Sequence, residues 1–154
     1  MRAVVQRVSE ASVTVSDTVV GSIDCGLLVY FGVEAEDTET DLQYMIRKIP
    51  QLRLFTDDNG KMNLSVKQIG GKLLVVSQFT LCADLSKGNR PSFNPAALPE
   101  KAEALYDQFV RHLREEGFMV ETGRFGASMR VRYVNEGPVT ILVDSPYRMK
   151  QNKT

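Results

Sequence analysis

The run from Leu27 to Val33, LLVYFGV, constrains the fold of this chain more than any other segment. It is continuously apolar apart from Gly32, too short for an ordinary buried helix, and rich in residues that suit a pleated strand. A strand of that composition has to be covered on both faces. The run from Lys72 to Phe79, KLLVVSQF, has the same character after Gly70-Gly71 and ends in polar residues. Together they predict central strands with packed layers on either side.

Around these, Val4, Gln6 and Val8, then Ser12 to Val15, alternate with period two and predict two strands, with a third from Val19 to Ile23. Leu42, Met45, Ile46 and Ile49 fall at helical spacing, so a helix is expected from Thr38 to Ile49 with Asp37 as its N-cap. Pro50 ends it, Leu52 to Phe55 predicts a strand, and Asp57-Asp58-Asn59-Gly60 predicts a reversal. A second helix is expected from Pro99 to Glu116, with Leu105, Tyr106, Phe109 and Leu113 on one face and Gly117 just past its end. Phe118 to Thr122, Ser128 to Val134 and Val139 to Val143 complete the strands, the last two joined by a turn at Asn135 to Pro138.

The fold class that follows is α+β: a mostly antiparallel sheet, curled or barrel-like, with two helices. A hydrophobic share of 43% in 154 residues builds one core without crosslinks. Residues 1–146 are therefore expected as a single domain, and 147–154, with Arg148, Lys150 and Lys153, as a basic, flexible tail. Ser86 to Pro99, with three of the six prolines, predicts an ordered loop.

Charge and composition narrow the function. Lysine plus arginine and aspartate plus glutamate each number 19, so no global positive field exists to hold long nucleic acid. The two cysteines, Cys25 and Cys82, form no CxxC pair, which points to a reducing compartment. Neither a signal-peptide core nor a run approaching roughly 18 apolar residues is present, and the cytoplasm is the expected location, with no membrane contact.

A triad hydrolase needs a histidine base, and the single histidine, His112, lies within the second helix between Arg111 and Arg114, where a solvated or half-buried flank position is expected. One histidine and two isolated cysteines do not make a catalytic zinc site, and Asp57-Asp58 before Asn59-Gly60 reads as a turn in preference to a metal site. No phosphate-cradling glycine motif is present. No metal or cofactor is called for. Hydroxyls, amides and backbone dipoles remain, which suits a labile substrate such as an activated ester.

Two polar segments stand where packing does not demand them: Ser77-Gln78-Phe79-Thr80-Leu81 at a strand end and Asn135-Glu136-Gly137-Pro138-Val139-Thr140 at a turn. The first also fits simple satisfaction of backbone groups where a strand stops. The second also fits an ordinary turn, and composition alone favours a trans bond, since only about 5–6% of X-Pro bonds in folded proteins are cis.

SQFTL and an asparagine-led GPVT segment are both intact here, and QRVSEASVTV, GKMNLSV, GNRPSF, AEALYDQFV and TGRFGASM follow in the same order. Over nearly its whole length the chain resembles the D-aminoacyl-tRNA deacylase family. It departs in having Glu136 where aspartate is more usual, and a longer stretch after Pro146.

The resemblance implies the deacylase fold, a homodimer, and hydrolysis of the ester of D-aminoacyl-tRNA, and of glycyl-tRNA mischarged on tRNA-Ala. It assigns a cis bond to Gly137-Pro138, projecting into the other subunit's site as a chirality filter that rejects L-aminoacyl esters. It assigns Ser77, Gln78, Phe79 and Thr80 to the catalytic pocket. Arg7, the brace of the filter, joins Phe125, Gly126 and Met129 in the substrate-binding set. Thr80 lacks an evident base, so a positioning role is favoured over that of nucleophile. The partner implied is the 3′ end of aminoacyl-tRNA. The competing reading is a DNA- or RNA-binding module acting through Lys87, Asn89, Arg90 and the basic tail, against which the neutral charge balance speaks.

Overall fold

The computed structural model describes residues 1–146 and Lys150, so the basic tail expected over 147–154 otherwise lies outside the described residues. The elements run β1 (Arg2–Val15), β2 (Thr18–Ile23), β3 (Gly26–Gly32), α1 (Glu39–Lys48), β4 (Phe55–Thr56), β5 (Met62–Leu64), β6 (Lys72–Ser77), α2 (Pro99–Glu115), β7 (Val120–Thr122) and β8 (Arg130–Asp144).

β1 is one strand of 14 residues, where two were expected. Ala3 and Val5 enter one core, whereas Ala11, Val13 and Val15, of the same parity, enter another. The register against β8 shifts at Gln6/Val8 and again at Val8/Glu10. Such bulges turn the side-chain alternation over without ending the strand, so the break in period was a bulge and not a gap. Ser16 and Asp17, both at positive φ (45° and 63°), then make a two-residue hairpin turn into β2.

β2 and β3 follow β1 in one register from Val13↔Gly21 to Arg2↔Gly32, so they are two halves of one hairpin arm. β8 runs antiparallel along the other edge of β1. Beyond β3 the sheet continues in parallel, β3 to β6 and β6 to β7. α1 and α2 lie in the two crossovers, which parallel pairing requires. The far edges then approach each other: a Cβ on Gly21 of β2 would sit 2.2 Å from the Thr122 carbonyl oxygen of β7. The mixed sheet is thereby nearly closed into a barrel.

This curl explains the doubly apolar runs. Leu27, Val29 and Phe31 of β3 and Leu73 and Val75 of β6 pack under the helices with Leu42, Met45, Phe109 and Leu113. Leu28, Leu74 and Val76 point the other way, into the interior of the curl with Val8 and Val13. Phe31 and Phe109 stack with centroids 4.4 Å apart.

Two local expectations need correction. The N-cap of α1 is Thr38, whose N–H is accepted by Asp41 at 3.0 Å. Asp37 instead takes the buried α-ammonium of Met1 and the Glu34 N–H. Residues Ile49–Gln51 form a 3-10 turn around Pro50, so of the strand expected over Leu52 to Phe55 only Phe55 is realised, and with Thr56 it pairs with β5.

Candidate active site

Because β3, β6 and β7 are parallel, their carboxyl ends share one edge of the sheet, a place where open α/β sheets bind ligands. A cavity of about 570 Å³ opens there. Ser77, Gln78 and Phe79, at and just past the end of β6, form one wall; Phe125, Gly126 and Met129, between β7 and β8, form another. The structure thus brings six of the sequence-predicted residues together. Phe93 and Tyr106 also line the cavity, although the sequence placed them only in a loop and on an apolar helix face. Their signal was weak: a lone aromatic among prolines, and a tyrosine whose buried hydroxyl needs an acceptor.

β6 stops at Ser77, two residues short of expectation, and the chain tightens into a 3-10 helix over Phe79–Cys82. The Gln78 N–H continues the ladder to the Phe31 carbonyl at 2.9 Å. The leading N–H groups of a helical turn have no acceptor in the turn before it, and those of Phe79 and Thr80 donate to no group among the described residues. Thr80 is exposed beside the cavity, and its hydroxyl accepts the Gln78 side-chain amide.

No carboxylate, histidine, lysine or arginine lines the cavity among the described residues. The Tyr106 hydroxyl donates to the Val75 carbonyl at 2.8 Å, and burial raises its pKa above the ordinary tyrosine range. Burial also pushes the neighbouring Cys82 thiol up to about 11, which leaves it protonated and unreactive at neutral pH. His112 is half-buried on α2 and its Nδ1 pairs with the Gln108 carbonyl. The arrangement offers backbone donors, an amide and hydroxyls, and no side-chain base.

Gly137 and Pro138 lie elsewhere. β8 pairs with β1 at Thr140↔Gln6 and again at Asn135↔Val8, so residues 136–139 leave the ladder as an excursion from one continuous strand. This corrects the expected turn between two strands: both arms find the same neighbour because β1 is long enough to hold them. The Gly137-Pro138 bond is cis, against the trans bond favoured by composition. Arg7 spans the base, donating from Nε to the Glu136 carbonyl at 3.3 Å and from Nη1 to the Leu54 carbonyl at 2.8 Å. Gly137 and Pro138 are exposed, and neither they nor Arg7 line the cavity of their own chain.

A second, shallower groove of about 730 Å³ runs along α2 and shares Tyr106 and Phe125 with the cavity. Charged side chains such as Asp107, Arg111, Arg114 and Arg124 line it, together with Thr122 at the end of β7.

Comparison with known proteins places the chain. The family model described as D-Tyr-tRNA(Tyr) deacylase matches residues 4–144. A D-aminoacyl-tRNA deacylase of Chlorobaculum parvum is 60% identical over 95% of this chain and 99% of its own. One of Thermotoga petrophila is 59% identical over 94% and 97%. Among solved structures, one titled c-Myc DNA Unwinding Element Binding Protein superposes with a TM-score of 0.90 at 44% identity, over 95% of this chain and 99% of that one. A probable eukaryotic D-amino acid tRNA deacylase shares the fold at a TM-score of 0.78 and 21% identity, over 92% and 97%. With a family model spanning almost every described residue and relatives this similar end to end, the chain belongs to the D-Tyr-tRNA(Tyr) deacylase family.

Proposed function

We propose that this protein hydrolyses the ester joining a D-amino acid, or glycine mischarged on tRNA-Ala, to the terminal ribose of tRNA, and spares L-aminoacyl esters. The observation that carries this reading is a cavity without a side-chain base, rimmed by two unpaired backbone N–H groups, in a chain of the deacylase family. The Phe79 and Thr80 N–H groups receive the oxygen that becomes negative as water adds to the ester carbon. The carbon–oxygen bond to the ribose then breaks, the ribose oxygen takes a proton, and the amino acid leaves as a carboxylate. The ribose 2′-hydroxyl assists the proton transfer. Ser77 and Gln78 orient the ester, and Phe79, Phe125, Gly126 and Met129 enclose the terminal adenosine.

The chirality filter comes from a second copy. Gly137 and Pro138 are exposed and outside their own cavity, and β8 is an edge strand bearing exposed Tyr133, Val134 and Leu142, which a second copy would cover. The carbonyls of the motif, braced by Arg7, engage the substrate's α-ammonium. An L side chain then collides with them, while a D side chain or hydrogen points into open space. Residues 1–146 act as one domain, in the cytoplasm, with tRNA as partner. No helix among the described residues is long and apolar enough to cross a membrane.

The test compares hydrolysis of D-tyrosyl-, L-tyrosyl- and glycyl-tRNA by the purified protein, with Gly137→Ala as control. Rapid loss of the D and glycyl esters alone supports the reading; equal rates for all three, or none, refute it. A second reading, DNA binding through the exposed Lys87, Asn89 and Arg90, draws on the name of the 44% identical protein. Salt-dependent DNA binding without ester turnover would favour it.

A further inference from the structure

Where residues 136–139 leave the β1–β8 ladder, the backbone loses its regular partners and a side chain takes their place. The Asn135 Nδ2 donates to the carbonyls of Arg7 and Val139, each at 3.0 Å. Both amide hydrogens are thus used, one across to β1 and one across the mouth of the excursion, from the residue before it to its last. The Asn135 Oδ1 accepts the Thr140 hydroxyl at 3.3 Å, and the Thr140 oxygen accepts the Gln6 amide at 3.1 Å. Gln6 and Thr140 are cross-strand partners, the last regular pair before the ladder breaks. The acceptors settle which way the Asn135 amide faces, because two carbonyls lie at one end and a hydroxyl at the other.

We infer that Asn135, oriented by Thr140, is a positioning residue that sets the stereospecificity of the deacylase by closing the base of the Gly137-Pro138 excursion. This rests on the proposed function above. Arg7 is held from both sides, its carbonyl by Asn135 and its guanidinium by Glu136. The excursion has no ladder of its own to restore its place if that staple is cut. A filter that works by exclusion depends on where its backbone stands more than on what it binds. Loosening it therefore admits L side chains, a gain of activity that ordinary destabilisation does not produce. Only an amide of this length serves: aspartate would set an oxygen against two carbonyl oxygens, and alanine would leave both without a donor.

The test measures the ratio of L-tyrosyl- to D-tyrosyl-tRNA hydrolysis for the full chain and its Asn135→Ala, Thr140→Val and Thr140→Ser variants, with melting temperatures alongside. Asn135→Ala should raise the L:D ratio by about tenfold or more, the effect of one or two ordinary hydrogen bonds. Thr140→Val should raise it less, and Thr140→Ser, which keeps the hydroxyl, should match the unaltered protein. If Asn135→Ala does not fold, Thr140→Val carries the test, since it removes one hydroxyl at nearly constant volume. A ratio unchanged or lowered in the folded variants, whatever happens to total activity, overturns the inference. If the unaltered protein does not itself prefer D to L esters, the deacylase reading fails first; a discriminating parent with unmoved variants sinks the positioning role alone.

Discussion

The hydroxyl of Tyr106 donates a 2.8 Å hydrogen bond to the carbonyl of Val75, fastening helix α2 to strand β6 two residues before Ser77. The bond is buried and lies under the wall shared by the cavity and the charged groove. Tyr106→Phe should lower stability by about 1–3 kcal/mol, the cost of leaving a buried acceptor underused. In a domain of this size that lowers the melting temperature by roughly 2–4 °C per kcal/mol. A calorimetric scan checks it, and an unchanged midpoint would show that water replaces the phenol without cost.

Thr80→Ala should keep substantial ester hydrolysis, because the donors in the proposed oxyanion site are backbone N–H groups that survive the change. A loss of no more than about tenfold in kcat is expected, against 10²–10³ for removing a true oxyanion donor. Abolished turnover in a folded Thr80→Ala protein would contradict the positioning role.

Gly21 sits where β2 meets β7, and a side chain there would overlap the Thr122 carbonyl at 2.2 Å. Gly21→Ala should push the two edges apart and cost about 1–3 kcal/mol or more through overpacking. Denaturant titration reads this as a lower midpoint, while preference between D and L esters should stay that of the parent. Parent-like stability would mean the barrel edges are free to separate.

Two loops should respond to acid. The Asp57 carboxylate accepts the N–H groups of Asn59 and Lys61 at 2.9 and 3.0 Å, and Asp84 accepts that of Ser86 at 2.9 Å. These backbone donors hold both pKa values below the ordinary 3.8. A depressed carboxylate adds stability that is present above its unfolded value and lost as pH falls through the folded one. Neither loop should change between neutrality and pH 5, and both should loosen below 3.8. Amide chemical shifts of Asn59, Lys61 and Ser86 followed through an acid titration report it, with Asp57→Asn as a variant already lacking the charge. Flat shifts through that range would contradict it.

Much of the architecture was legible in the chain. The doubly apolar runs marked β3 and β6 as central, and helical spacing marked α1 and α2. The errors fall where one local pattern has two readings. The interruption near Ser9 and the Asn135–Pro138 segment both resemble a gap between strands, and both are bulges within one. Only the partner strand tells the two apart, because a bulge is defined by what the neighbour counts opposite it. Asp37 and Thr38 are both good N-caps, and the buried Met1 ammonium took the first of them for another use.

The sequence by itself determined most element types and held the two motifs whose residues carry the proposed chemistry, because composition and periodicity act over a few neighbours. Tertiary structure alone decided that Ser77, Gln78 and Phe79 share one cavity with the Phe125–Met129 segment and that Gly137-Pro138 stands outside it. The physical reason is separation along the chain. Ser77 and Met129 line one cavity only because β3, β6 and β7 run parallel and end on one edge, while Asn135 meets Arg7 only because β8 returns beside β1. Pairings that distant depend on the register of whole strands, which no local stretch of residues encodes.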